Sequence, residues 1–218
     1  MKTGAKIGIG GAIGGGVVVS ALFLLASSHT FVTEGGCVDD PLDLGGRTNF
    51  GVTERVARHH GYEGDVCEMT REEAEVIAYL AHWNGRGYEW LSAMPEVALE
   101  LYDTDYNTGR HRESVRWLQD CLNLLNNRGR FYPDIAVDGH LGQETGRALA
   151  AYRRSRPPSL LRDDGRTVLM TCIEGAQIEY YKRITRARRD NEKYLYGWLR
   201  TRIGNTDDIS VPDSLTFY

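Results

Sequence analysis

The chain has no CxxC pair, no Cys/His spacing of a zinc module and no HExxH, so its four cysteines and six histidines point to no metal centre. His59-His60 reads as a polar surface pair. An excess of one charge is also missing, with 26 Lys/Arg against 30 Asp/Glu. With 41% hydrophobic and 26% charged residues, the composition excludes an intrinsically disordered, collagenous or polytopic membrane protein. The 218 residues suffice for one medium domain or two small ones, each with enough core to fold.

One stretch lacks charge altogether. Lys2 and Lys6 precede Ile7–Ser28, in which no residue is charged. About 20 apolar residues span a bilayer, and lysines on the N-terminal side predict that this end stays cytoplasmic while the rest is exported. The segment is a weak anchor, because 11 of the 21 residues from 7 to 27 are Gly, Ala or Ser. Two other readings stay open. Gly10/Gly14 and Gly11/Gly15 suit a small-xxx-small helix-packing face, and Ala26-Ser27-Ser28 suits a signal-peptide cleavage site.

Charge is uneven beyond that segment. Residues 28–110 hold 16 acids against 6 bases, and residues 111–218 hold 14 against 18, which suggests two functional units, the second suited to an anionic polymer or surface. Cys37, Cys67, Cys121 and Cys172 all fall in the part expected to be exported, where up to two disulfides in three connectivities can form.

Helices dominate the pattern. Thr70-Arg71-Glu72-Glu73 is a capping box for the apolar face Ala74, Ile77, Ala78 and Ala81, and Gly85 and Gly87 end that helix. Ser92 and Pro95 start another through Leu101. A third covers about 112–126, with Val115, Leu118, Leu122 and Leu125 on one side. Asp138-Gly139 signals a turn, Gln143–Arg154 is helical until Pro157-Pro158, and a last long helix runs from Thr167 to about Arg189. Strand-like residues are confined to about 37–53. The fold expected is mainly α.

The densest cluster of carboxylates, glycines and hydroxyls runs from Glu34 to Thr53. Glycosidic cleavage needs one carboxylic acid to protonate the leaving oxygen and a second carboxylate to support an oxocarbenium-like transition state or activate water. Glu34 and Asp43 can face each other across a cleft, and Gly35-Gly36 and Gly45-Gly46 permit the positive φ that such a hairpin requires. A calcium-type Asp/Gly loop or a plain turn is the alternative.

These residues carry a resemblance. EGG-x-V-x-DP-x-D-x-GG-x-T-x-x-G-V-T is similar to the signature of the glycoside hydrolase family 108 N-acetylmuramidases of bacteriophages, within the wider Glu–Asp–Thr phage lysozyme group. Asp103, Asn107 and Gly109 resemble that family's D-x-x-x-N-x-G helix, and Leu118-Gln119 its next helix start. Asp138-Gly139-His140-Leu141-Gly142-Gln143-Glu144-Thr145 resembles the core of a small helical peptidoglycan-binding module, and Gly197-Trp198-Leu199 with Arg202 its end. The N-terminus resembles a signal-arrest-release segment.

The resemblance implies an α+β, lysozyme-like helical bundle with a small Gly-rich β-hairpin at the active site, behind an N-terminal transmembrane signal-anchor helix. It implies four regions: the anchor over 1–28, the muramidase domain over 29–111, the peptidoglycan-binding domain over 112–203 and a tail over 204–218. Glu34 takes the place of the essential acid, Asp43 that of the second carboxylate and Thr48 that of the water-orienting hydroxyl. Asp40, Gly45, Gly46, Thr53, Asn107, Asp138 and Gly139 are the expected substrate-binding residues, although Asp40 also suits a cap on the Pro41 turn. Cys37 departs from the family, which has an aromatic residue there. A structural disulfide with Cys67, a regulatory disulfide and a free thiol are the three readings of that change.

The expected activity is a phage endolysin that hydrolyses the β-1,4 bond between N-acetylmuramic acid and N-acetylglucosamine. It needs no cofactor or metal. Its expected partners are peptidoglycan and, through residues 7–28, the host inner membrane, from which it passes to the periplasm as a monomer; no nucleic acid is involved. A lytic transglycosylase and a non-enzymatic anchored wall-binding protein are the alternatives.

Overall fold

Helix α1, Ala21–Thr33, begins the part of the chain that the computed structural model describes, which comprises residues 21–33, 36–39, 46–156 and 167–204. Its Leu22, Phe23, Ala26 and Phe31 are buried. Phe23 meets Tyr79 and Trp83 edge to face, with ring centroids 5.2 and 5.4 Å apart, and Phe31 meets Phe50 at 6.3 Å.

Residues 21–28, the end of the segment expected to act as an anchor, lie in α1, where Phe23 packs on Tyr79 and Trp83 of the same unit. The helix runs through Ser28 without a break. Among the described residues no helix is long and apolar enough to cross a membrane. Residues 1–20 lie outside the described residues.

The chain divides into two compact units, parted between Gly85 and Arg86. In the first, strands β1 (Cys37–Val38), β2 (Thr48–Asn49) and β3 (Val52–Thr53) form an antiparallel sheet in that order. Val38 stands opposite Thr48, and Thr48 opposite Thr53. A two-residue turn, Phe50-Gly51, joins β2 to β3 with φ of 51° and 78°, the left-handed pair that suits the twist of a tight hairpin. Helix α2 (Glu54–His59) follows directly. Helix α3 (Arg71–Ala78) carries the expected capping box, since the Glu73 N–H donates to Thr70 Oγ1 (3.2 Å) and the Thr70 N–H to Glu73 Oε2 (2.9 Å). Its Ala74, Ile77 and Ala78 are buried, and a π turn over Tyr79–Trp83 brings Tyr79 and Trp83 to Phe23.

The second unit is helical. Helix α4 (Pro95–Thr108) has Pro in its first turn and Gly109 in the left-handed position after its end. Helices α5 (His111–Leu125), α6 (Gln143–Ser155), α7 (Val168–Ala187) and α8 (Glu192–Arg202) complete it. α5 lies against α4, α6 and α7, and the Cys121–Cys172 disulfide ties it to α7. Gly146 lets α6 close on the turn at Tyr88–Leu91, because a Cβ there would sit 2.8 Å from the Trp90 carbonyl oxygen. The compact division at Gly85 does not coincide with the 111/112 boundary that the motifs suggest, because α4 packs on α5 and on that same turn.

Candidate active site

The hairpin is the described part of the Glu34–Thr53 cluster. Glu34, Asp40, Asp43 and Gly45 lie outside the described residues. In sequence, α1 ends one position before Glu34, and Asp40 and Asp43 fall between β1 and β2.

Thr48, the expected water-orienting residue, is half-buried on the central strand, and its Oγ1 donates to the Gly46 carbonyl at 2.9 Å. Gly46 has a φ of 70°, as a turn into the hairpin requires. Thr53, the cross-strand neighbour of Thr48, is the N-cap of α2, where its Oγ1 accepts from the Val56 N–H at 3.3 Å. The structure therefore brings Gly46, Thr48 and Thr53 together on one small sheet.

Of the ties that hold that sheet, only the cysteines stand out in the sequence. Asn49 is buried, and its Nδ2 donates to the carbonyls of Val66 (2.9 Å) and Met69 (3.3 Å). Arg47 donates to Asp65 Oδ1 at 2.8 Å and to Cys67 Sγ at 3.1 Å. Cys37 is disulfide-bonded to Cys67, the pairing that was one of three readings. All three ties end on the 3₁₀ turn Val66–Glu68 or its flanks, so this short segment is the anvil on which the hairpin is set. The Cys67 N–H, and then Arg47, hold the Asp65 carboxyl below the usual carboxylate range. Both members of the Arg47–Asp65 pair are well exposed, so positioning matters more here than stabilisation.

In the second unit, Asn107 is exposed on the last turn of α4 and donates to the Asp103 carbonyl at 2.7 Å. Asp103 is buried and pairs with Arg202 Nη1 at 3.2 Å, so the acid of the D-x-x-x-N-x-G pattern is engaged in a buried ion pair with α8. Glu100, Asp105 and Glu174 are buried as well. Gln177, on α7, donates to Thr104 Oγ1 at 2.9 Å. His111, at the start of α5, sits with Nδ1 3.3 Å from the Tyr88 hydroxyl and 3.8 Å from Asp105 Oδ2.

Asp138 and Gly139 form a locked turn. Gln119 Nε2 donates to Asp138 Oδ1 (2.9 Å), and the Gly139 N–H donates back to Gln119 Oε1 (2.8 Å). The Gln119 amide, and then the His140 N–H, keep the Asp138 carboxyl below its ordinary range. A Cβ on Gly139 would stand 2.5 Å from the Arg112 carbonyl oxygen, which accounts for glycine there. Asp138 also lines a cavity of about 190 Å³ with His140 and Glu144. Among the described residues no group of three or more His, Cys, Asp or Glu is disposed to hold a metal ion.

Comparison with known proteins finds similarity in both parts of the chain. Residues 27–109 match the Glycosyl hydrolase 108 family, described as glycosyl hydrolase 108, and residues 113–203 match a Predicted Peptidoglycan domain. No curated protein matches the chain. Among solved structures, that of SagA from Brucella abortus is similar at 24% identity with a TM-score of 0.58, over 85% of this chain and 91% of that one. At this identity the likeness is one of fold. The glycosyl hydrolase match begins inside α1 and ends at Gly109, the residue that closes α4.

Proposed function

We propose that this chain, with a glycosyl hydrolase 108 region ahead of a peptidoglycan domain, is an N-acetylmuramidase that cleaves the β-1,4 bond between N-acetylmuramic acid and N-acetylglucosamine. The observation that carries the reading is the family match over 27–109, which takes in Glu34, Asp43 and the braced hairpin of Thr48. Glu34 gives its proton to the glycosidic oxygen as the bond breaks. Asp43 stays ionised and offsets the positive charge that grows on the sugar ring. Thr48 orients water or the sugar through its Oγ1, and water adds to the anomeric carbon and passes a proton to one of the two carboxylates, which leaves a new reducing end. These steps use only carboxyl and hydroxyl groups, so the reaction requires no metal or cofactor.

The biological setting we propose is a phage endolysin, exported as a monomer and held at the host inner membrane by the uncharged N-terminal segment before release to the periplasm. The support is the run without charge from Ile7 to Ser28 behind Lys2 and Lys6. In the released form, residues 21–28 supply Phe23 to the core of the first unit, so retention in a bilayer and completion of that core compete for the same residues.

Digestion of purified sacculi, followed by product masses, tests the activity. Wild-type protein is expected to yield reducing-end saccharides. Glu34→Gln should lower turnover by about 10²–10⁴-fold with folding intact, the range of a lost general acid. Anhydro-sugar products would instead identify a transglycosylase, and undiminished turnover in Glu34→Gln would refute the assignment of the acid.

A further inference from the structure

A groove of about 770 Å³ lies in the second unit, around the start of α5. Four arginines line it, Arg86, Arg110, Arg112 and Arg116, against two carboxylates, Glu113 and Asp120. Glu113 is ion-paired with Arg183, which brings a further cation to the rim. His111, which also lines the groove, is held below its ordinary range by burial and adds no acid. The N-cap of α5 supplies no side-chain cap, so the positive end of the helix dipole adds to the same field.

The arrangement is built rather than scattered. Arg112 and Arg116, one turn apart on α5, both donate to the carbonyl oxygen of Asp138, at 3.2 and 3.3 Å. Two guanidinium groups thus converge on one neutral acceptor, and each keeps further N–H donors beyond that single bond. One wall is aromatic. Trp117 is half-buried and packs on Tyr180 at 5.7 Å, and Arg183 lies over the Tyr180 ring.

We infer that this groove is a second peptidoglycan site that takes a disaccharide with its peptide stem, the free stem carboxylates facing Arg112 and Arg116 and a sugar face on Trp117. The inference rests on the proposal that peptidoglycan is the substrate, and it deepens the binding role of the second region. A planar carboxylate matches the two-pronged guanidinium, and the open groove has a volume in the range of small-ligand sites. The groove takes residues from both family regions, Arg86 and Gly109 from the glycosyl hydrolase match and Glu113 to Val137 from the peptidoglycan match.

The test is calorimetric titration of the full chain with a soluble disaccharide-tetrapeptide, and with the same molecule after its carboxyls are amidated. Amidation is expected to weaken binding to the wild-type chain at least about tenfold, as loss of charge-assisted hydrogen bonds does. The Arg112→Gln/Arg116→Gln variant should bind the native ligand weakly and discriminate little between the two forms, with lysine at both positions recovering part of the affinity. Binding of the amidated ligand within twofold of the native one overturns the inference, and so does an undiminished affinity in the double glutamine variant. If inorganic phosphate or phosphatidylglycerol vesicles bind the groove arginines and the muropeptide does not, the site belongs to phosphate and the inference falls. A wild-type chain that releases no reducing ends from sacculi would sink the hydrolase reading alone, since the titration measures binding without cleavage.

Discussion

The side-chain amide of Asn49 donates to the carbonyl of Val66 at 2.9 Å, crossing 17 positions of sequence to fasten the Thr48 hairpin to the turn that carries Cys67. Replacing Asn49 with Leu leaves the carbonyls of Val66 and Met69 buried without this donor, at a cost of about 1–3 kcal/mol. Asn49→Asp should cost more at neutral pH, because it sets an anion against two carbonyl oxygens. Urea unfolding of the full chain measures both, and a smaller loss for Asp than for Leu would contradict the bonding described.

Thr48 is expected to act through its hydroxyl. Thr48→Ser should keep most of the turnover on sacculi, while Thr48→Ala loses about tenfold to a hundredfold, the scale of a misplaced reacting group. Equal rates for Ser and Ala would show that the hydroxyl has no part in the reaction.

The Asp103–Arg202 pair is buried, with side-chain exposures of 1% and 11%. Arg202→Met leaves the Asp103 carboxylate without this partner and should destabilise the second unit by about 3–5 kcal/mol. Asp103→Leu combined with Arg202→Met should recover most of that. Comparing the single and double variants by denaturant midpoint separates the pair from general damage to α8.

The Cys121–Cys172 bond closes a span of 51 residues between α5 and α7. Replacing both cysteines with Ala is expected to cost about 2–5 kcal/mol, chiefly by freeing the unfolded chain. A midpoint in reducing buffer equal to that in oxidising buffer would show that the bridge contributes nothing.

His111 gives the second unit a dependence on pH. Burial lowers its pKa, Asp105 pulls the other way, and Arg86 and His140 lower it further. A histidine lowered in the folded state is protonated more readily when unfolded, so stability is full above the ordinary value of 6.5 and declines as pH falls toward the folded value. Wild-type urea midpoints should therefore drop from pH 7.5 to 5.5, with a shallower drop in His111→Gln. Parallel curves for the two proteins would assign the dependence elsewhere.

Local rules carried much of the helical pattern. The Thr70–Glu73 box, Pro95 in a first turn and the apolar spacing of Val115, Leu118 and Leu122 are written within one or two turns of chain, and each element forms where those signals lie. Extent was harder. α4 continues past Leu101 to Thr108 because Asp103, Thr104 and Asp105 find buried partners, and a polar residue in a one-dimensional pattern reads as an exit from the core. α2 and α8 had no clear sequence signal. At Ala21–Ser28 the pattern is ambiguous for one reason: apolar residues that suit lipid also suit Tyr79 and Trp83, and a one-dimensional pattern does not tell the two surroundings apart. In the candidate site, the hairpin glycines were legible as turns, while the role of Asn49 depends on a segment 17 positions away.

Asp103 and Arg202 stand 99 positions apart, one in the glycosyl hydrolase match and the other in the peptidoglycan match. The two regions are therefore not interchangeable cassettes. A chimaera that grafts a foreign wall-binding region after Gly109 has to bring its own guanidinium to α4 or neutralise Asp103 in the same step. Cutting the chain between the matched regions strands a carboxylate that no longer has the partner for which it was buried.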